Sequence, residues 1–437
     1  MTRRESGAPR RGAARWLAAL AALVALGTAA CEGIEDLLEV DAPSQIPVEA
    51  LNDPLKAQLL VNGVVADFEC AYGAYAALGG ILGEELIETT QTANRWPYER
   101  RTVLTSDALY GEFGCEALGV YRPLSTARWT ADQVLTNLET WTDAQLPANV
   151  NRMQLIATTA AYGGYTYLTM GEAFCSMAFD AGPEVQSNEA FQRAEERFTR
   201  AITAATQVGG TVGADLRNMA LVGRARARLN LGRYADAAAD AAQVTTGYVR
   251  NITASAASTR RNNRVWSQNS SSSNNTSVGT RYRGMTVGGV ADTRVPVVES
   301  SPPRNATDGT RIWEQRKYTS AAAPLPLASW DEAQLIRAEA AARAGDATQA
   351  TGFINALRTR ASLPQYGGGT PDEVLAQVIE ERRRELFLEG QHFFDIRRFN
   401  LPLVPAPGTV FSKGGTYGST RCLPLPDIER LNNPNVG

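Results

Sequence analysis

A chain of 437 residues with 44% hydrophobic positions is long enough for two or three ordinary domains, or for one larger array around a sizeable core. Its net charge of −3 excludes the strongly basic footprint of a nucleic-acid-binding protein. The single histidine, His392, excludes a multi-histidine metal site, and no two of the five cysteines stand at CxxC spacing, so neither a metal nor a cofactor is expected.

The first thirty residues read as an export signal rather than as part of the fold. Arg3, Arg4, Arg10, Arg11 and Arg15 form a positive region, and Trp16 to Ala30 is an Ala/Leu-rich stretch ending in small residues. The stretch is short for a bilayer span, although a short membrane anchor is the competing reading. Arg3-Arg4 lacks the apolar follow-up of a twin-arginine signal, which favours general secretion. The run Gly27-Thr28-Ala29-Ala30-Cys31 resembles a bacterial lipobox, with Thr28 where leucine is usual. Lipidation at Cys31 would hold the mature chain on a membrane, at about 0.8 kcal/mol per buried CH₂. The alternative is a plain signal peptide with a structural Cys31. Glu32, Glu35 and Asp36 follow in an acidic linker over 31–53.

An N-terminal helical region is expected over 54–249. Leu55, Leu59, Leu60, Val64 and Phe68 recur at helical spacing, as do Trp129, Val134, Leu138 and Trp141, and Leu155 to Met170 carries an aromatic stripe. Ser187 or Asn188 is placed to cap the helix marked by Phe191, Phe198 and Ile202. Met219 to Val244 and Trp330 to Leu357 read as two helical hairpins turning at Gly232 and Gly345. Ala225 and Ala338 lie seven residues before those glycines, and Ala237 and Ala350 five residues after. Small residues at those steps permit close antiparallel approach, the tetratricopeptide arrangement, with Met153 to Ala205 as a further copy interrupted at Cys175 to Gln186. Between the hairpins, 250–326 is Ser/Asn/Thr- and then Gly/Pro-rich, and predicts loops with short strands near Thr286 to Val290 and Val295 to Val298. A second helical region is expected over 327–400 and an irregular segment over 401–437. The fold class is therefore mainly α, a tetratricopeptide-like hairpin array with a loop-rich subdomain.

Setting Cys31 aside leaves Cys70, Cys115, Cys175 and Cys422, an even number with three possible pairings in an oxidising compartment. The pairing expected is Cys70–Cys115, the two nearest in sequence, and Cys175–Cys422, which ties the C-terminal segment to the helical body.

Glu380 to Arg398 reads EERRRELFLEGQHFFDIRR. By periodicity it is a helix with a charged face, on which Glu381, Arg384 and Glu385 can pair, and an apolar face of Leu386, Phe393 and Ile396, interrupted at Gly390, with Asp395 placed to cap or to pair with Arg397 or Arg398. The string resembles the near-terminal signature of the SusD/RagB family. Asp292-Thr293-Arg294, Lys317-Tyr318, Ile354-Asn355-Ala356-Leu357-Arg358-Thr359-Arg360-Ala361 and Leu423-Pro424-Leu425-Pro426-Asp427 with Asn433-Pro434 fall in the family's order. His392 departs from it, standing where the family often has Arg or Trp. The resemblance implies an outer-membrane lipoprotein facing the cell surface. It would capture a nutrient, mostly a glycan, for a SusC-like TonB-dependent transporter, and would touch the membrane only through its anchor.

Sugar rings offer apolar faces and hydroxyls, so indole or phenol rings beside polar groups suit their capture. Two segments fit: Asn94, Arg95, Trp96 and Tyr98 in a Pro-containing loop, and Trp266, Asn269, Tyr282 and Trp313 in the irregular stretch. The bland reading has each ring packed on its hydrophobic neighbours. Glu84, Glu85 and Glu88 invite a glycosidase reading, but Glu84 and Glu88 share a helix face under the helical pattern, so no catalytic role is assigned. A different class of function stays open: a tetratricopeptide scaffold for envelope proteins with no small-molecule ligand.

Overall fold

In the computed structural model, residues 51–436 are described, with Thr2 alone before them. The export signal, the lipobox at Cys31 and the acidic linker fall outside the described residues. Among the described residues no helix is long and apolar enough to cross a membrane.

Helices of six residues or more are numbered here in chain order. Five come first: α1 (Ala57–Leu82), α2 (Tyr121–Thr140), α3 (Arg152–Ala173), α4 (Ser187–Val208) and α5 (Gly210–Asn230). Next are α6 (Tyr234–Ala241), α7 (Arg264–Asn269) and α8 (Trp330–Arg343), then α9 (Ala347–Arg360), α10 (Pro371–Glu385) and α11 (His392–Arg398). The main helices form a chain of neighbours. α1 packs on α2 and α3, α2 on α3, α3 on α4, α4 on α5, α5 on α6, α6 on α8, and α8 on α9 and α10. Three hairpins (α3/α4, α5/α6 and α8/α9) thus follow one another, each covering a face the previous one leaves open.

The hairpin turns use left-handed glycine, with φ of 76° at Gly232 and 84° at Gly345. Ala225, Ala237, Ala338 and Ala350 are all fully buried, so the small residues sit where helix axes come closest. The α3/α4 pair is built differently. A Cβ on Gly164 would lie 2.8 Å from the Phe198 ring, and one on Gly171 2.5 Å from Phe191. A Cβ on Gly223 of α5 would also run into Phe198. Phe198 of α4 is therefore clamped between glycines of α3 and α5, and burying such a ring contributes about 1.5–3 kcal/mol.

The strands are short and pair only two at a time. β1 (Leu86–Glu88) pairs with β5 (Thr276–Val278), β2 (Ser176–Ala178) with β3 (Glu184–Gln186), and β4 (Val249–Ile252) with β10 (Leu325–Ser329). β6 (Thr286–Val287) pairs with β7 (Val290–Ala291), and β8 (Val297–Glu299) with β9 (Trp313–Gln315). All five pairs are antiparallel. The β2/β3 hairpin is the interruption between α3 and α4. β1/β5 and β4/β10 stitch the loop-rich region to the helical body.

Disulfides join Cys70 to Cys115, with Cα atoms 5.7 Å apart, and Cys175 to Cys422, at 5.1 Å. The second clamps the C-terminal segment beside the end of α3, where Leu423 also exchanges backbone hydrogen bonds with Ala173 and Cys175.

Several local expectations are corrected. α1 stops at Leu82, Glu84 is left-handed (φ 67°) and Glu88 lies in β1, so Glu84 and Glu88 share no helix face. α4 begins at Ser187 with no side-chain cap, and the Ser187 hydroxyl donates instead to the Phe174 carbonyl. Leu55 (68% exposed), Leu59 (56%) and Trp129 (41%) face outward although they share a spacing with core residues. Glu380 to Arg398 is not one helix: α10 ends at Glu385, and Gly390 at φ 86° turns the chain into α11.

Candidate functional site

The first predicted segment forms a tight polar knot at the end of β1. Glu88 is almost fully buried and receives Arg95 Nε at 2.9 Å, and the same guanidinium reaches the Gln268 side chain of α7 at 2.9 Å. Glu99 accepts from the Glu88 backbone N–H at 2.8 Å and from the Tyr417 hydroxyl at 3.1 Å. Lys413 pairs with Asp308 at 3.0 Å and also reaches the Glu88 carbonyl. Burial pushes the Glu99 carboxyl up to about 7, against the opposing pull of Lys413.

Trp96 sits on this knot, half-buried, with its indole N–H donated to the Thr90 carbonyl at 3.0 Å. No aromatic ring or cation stacks on it among the described residues, and Asn94, two residues before it, is exposed. Tyr98 is corrected: it is 1% exposed, and its hydroxyl accepts the Tyr110 backbone N–H, which makes it a core ring.

The second segment joins the first through α7 and β5. Asn269 is a structural hub rather than a ligand contact. Fully buried, it donates to the carbonyls of Thr276 and Trp313 at 3.0 and 3.1 Å and accepts from the Gln315 backbone at 2.8 Å, tying α7, β5 and β9 together. Tyr282 is likewise core, 1% exposed and stacked on Phe387 with ring centroids 5.1 Å apart. Trp266 is half-buried and free of ring partners among the described residues, and Trp313 is half-buried under the Arg283 guanidinium. Of the eight residues proposed from sequence, Asn94, Arg95, Trp96, Trp266 and Trp313 thus remain at the surface, around one connected set of elements.

A cleft lies at the opposite end of α7. It measures about 670 Å³ and runs between α1, α3, β4 and the 253–264 loop, with Gln58, Asn62, Glu69, Gly73, Thr158 and Leu325 among its lining. Four arginines reach it: Arg250, Arg260, Arg261 and Arg264. Glu69, on its floor, accepts the hydroxyls of Thr253 at 2.5 Å and Tyr162 at 3.2 Å, and burial raises its carboxyl. Cys70 of the first disulfide lines the same wall. The sequence reading missed this site. Its signal was the arginine cluster at 260, 261 and 264 inside an otherwise Ser/Asn-rich stretch.

Most of the motif residues are structural. Glu381, fully buried, receives Arg294 at 2.7 Å and Arg358 at 2.6 Å. Arg294 also holds Asp292 at 2.9 Å and Glu385 at 3.1 Å. Lys317 reaches Glu389 at 2.7 Å and donates to the Phe387 carbonyl at 3.0 Å. Asp395 takes Arg382 at 2.9 Å and Arg398 at 3.1 Å, while Arg397 donates to the Gly171 and Phe174 carbonyls. His392 is buried against Tyr282, and desolvation lowers its pKa to about 4, which leaves it neutral near pH 7. The "charged face" of the signature is an internal ion-pair network that locks the loop-rich region, α9, α10 and α11 together. Among the described residues, the one grouping of potential metal ligands is Cys70, Cys115 and Glu116, whose two thiols are joined in a disulfide.

The described residues thus form a helical-hairpin array with paired loop strands and a polar cleft. The SusD family model matches residues 331–421, the segment that carries this network. No curated protein matches the chain. Solved structures share the fold across most of it. A SusD-like carbohydrate-binding protein from Bacteroides vulgatus aligns at 15% identity and TM-score 0.66, covering 87% of this chain and 96% of that one. A laminarin-binding SusD-like protein aligns at 14% identity and TM-score 0.64, over 87% and 98%. A SusD-like carbohydrate-binding protein from Bacteroides fragilis aligns at 13% and 0.64, over 88% and 99%. The SusD/RagB resemblance read from the motifs is thus matched by the family model at the C-terminal region and by the fold of almost the whole described chain.

Proposed function

We propose that this chain is a binding protein that captures an oligosaccharide without altering it and delivers it to a TonB-dependent outer-membrane transporter, from a lipid anchor at Cys31. The observation that carries the reading is the fold shared with SusD-like carbohydrate-binding structures over 87–88% of the chain. Two half-buried indoles, Trp96 and Trp266, beside fixed polar groups suit the apolar faces and hydroxyls of sugar rings. The one histidine is buried and neutral, and the glutamates at 84, 85 and 88 are engaged in internal bonds, which supports capture without turnover.

A glycan array probed with the mature chain, followed by calorimetry on the hits, tests the reading. Trp96→Ala should weaken binding by about 1–2 kcal/mol, roughly tenfold in Kd, with little change in melting temperature. A buried Trp→Ala change would instead cost about 3–5 kcal/mol of stability.

One observation favours the scaffold reading. An apolar groove of about 620 Å³ lies between α6, α8 and α9, lined by Tyr234, Ala238, Ala242, Ala341 and Phe353. Empty glycan screens, with no TonB-dependent transporter encoded beside this gene, would hand the function to that groove.

A further inference from the structure

Seven arginines are buried among the described residues: Arg101, Arg128, Arg226, Arg264, Arg294, Arg358 and Arg382. Six have a carboxylate within reach: Glu84, Asp180, Glu332, Asp292, Glu381 and Asp395, in that order. Arg264 has none. It is 7% exposed, lines the 670 Å³ cleft, and its guanidinium donates to the Thr259 carbonyl at 2.5 Å. A buried cation without a counter-charge is costly, and a pairing anion offsets that cost.

The charges facing the cleft from each wall sharpen the contrast. From β4, Arg250 is held by Asp215 at 2.7 Å. From the 253–264 loop, Arg260 is held by Asp67 of α1 at 2.5 Å and lies 3.6 Å from Glu116. Arg261, exposed on the same loop, has no ion pair among the described residues. The one acid lining the cleft, Glu69, has each of its oxygens taken by a hydroxyl. The surplus positive charge is therefore Arg264 at the root of α7 and Arg261 at the rim, while Gln58, Asn62 and Thr158 offer partners for hydroxyls. Burial lowers the Arg264 pKa against the weaker opposing pull of Glu116, which lies beyond ion-pair distance.

We propose that this cleft receives an acidic substituent of the captured saccharide, a uronate carboxylate or a sulfate ester, paired with the Arg264 guanidinium and drawn in by Arg261. The inference rests on the glycan-capture reading and narrows it to anionic glycans. A guanidinium presents two parallel N–H groups that match either oxyanion.

The test uses the full mature chain and three probes: tetragalacturonate, a κ-carrageenan tetrasaccharide, and uncharged galactotetraose. At least one acidic probe should bind at least tenfold more tightly than galactotetraose, and which one binds separates carboxylate from sulfate. Arg264→Gln should raise its Kd at least tenfold, Arg261→Gln should raise it less, and 0.5 M NaCl should weaken binding to wild type. Arg264→Lys, which keeps the charge but loses the fork, should fall between wild type and Arg264→Gln. Should Arg264→Gln fail to fold, Arg261→Gln and the salt dependence decide. Acidic probes bound no better than galactotetraose, or bound with no response to either arginine or to salt, overturn the proposal. Neutral-glycan binding that depends on Trp96 in that case leaves glycan capture standing, whereas an empty glycan screen removes both.

Discussion

Glu381 is the point where the sequence signature meets the stability of the fold. It is fully buried, and its carboxylate receives Arg358 through Nε at 2.8 Å and Nη2 at 2.6 Å, Arg294 at 2.7 Å, and the Gln377 amide at 2.8 Å. Glu381→Ala removes the shared counter-ion of two buried cations. Arg294 keeps Asp292 and Glu385, but Arg358 keeps only the Pro364 carbonyl at 3.2 Å and the Tyr366 ring at 5.5 Å. Most of the loss therefore falls on Arg358. Breaking a buried pair from one side costs about 3–5 kcal/mol. Urea unfolding of wild type, Glu381→Ala, Arg358→Ala and the double variant measures the coupling, and the second change should cost about 1–3 kcal/mol less when the first is present. A loss below about 1 kcal/mol for Glu381→Ala, or strict additivity in the double variant, would refute the view that this network locks α9 to α10.

The remaining predictions concern titration, packing and the anchor. Burial holds the Glu85 carboxyl up at about 8, against the pull of the Leu388 N–H that it accepts at 2.8 Å. Its folded pKa thus exceeds the unfolded value near 4.5, the native state holds the extra proton between those pH values, and stability falls as pH rises from about 4.5 to 8, by at most about 1.4 kcal/mol per unit from this group. Glu85→Gln should flatten that slope and melt above wild type at pH 8 but not at pH 4; parallel pH–melting curves for the two proteins would contradict it. Gly223→Ala adds a methyl against Phe198, an overpacking that costs about 1–3 kcal/mol, of which helix propensity returns about 1. Net destabilisation that Phe198→Leu partly relieves is the expected result in thermal melts, and a neutral or stabilising Gly223→Ala would show that α4 shifts freely. A fatty-acid probe should label wild-type cells and not Cys31→Ala, and equal labelling would remove the lipoprotein assignment.

The helical hairpins were readable because their information is local. A left-handed turn needs glycine and a close crossing needs alanine, and Gly232, Gly345 and the four paired alanines carry both in a few residues. What failed were inferences about which way a side chain faces once a loop crosses it. Tyr98, Asn269 and Tyr282 have the composition of a sugar-binding loop, yet each is buried by another segment: Tyr282 by distant Phe387, Asn269 by distant β9, and Tyr98 by the following turn around Tyr110. The same long-range closure hid the cleft. Arg264 makes no ion pair with any acid among the described residues, feeling only the more distant pull of Glu116, and its isolation becomes visible only when its six buried counterparts are each seen with a carboxylate. Charge in the signature misled in the opposite direction. By periodicity the segment holding Glu381 reads as a helix with a charged face, but charged residues on a helix mark its wet side only when no other element supplies their partners. Here Arg294 and Arg358 arrive from elsewhere in the chain, while Arg382 and Asp395 meet across the break between α10 and α11. A run dense in both signs of charge is thus compatible with burial wherever the fold delivers the complementary charges, and that makes the motif a signature of architecture rather than of ligand.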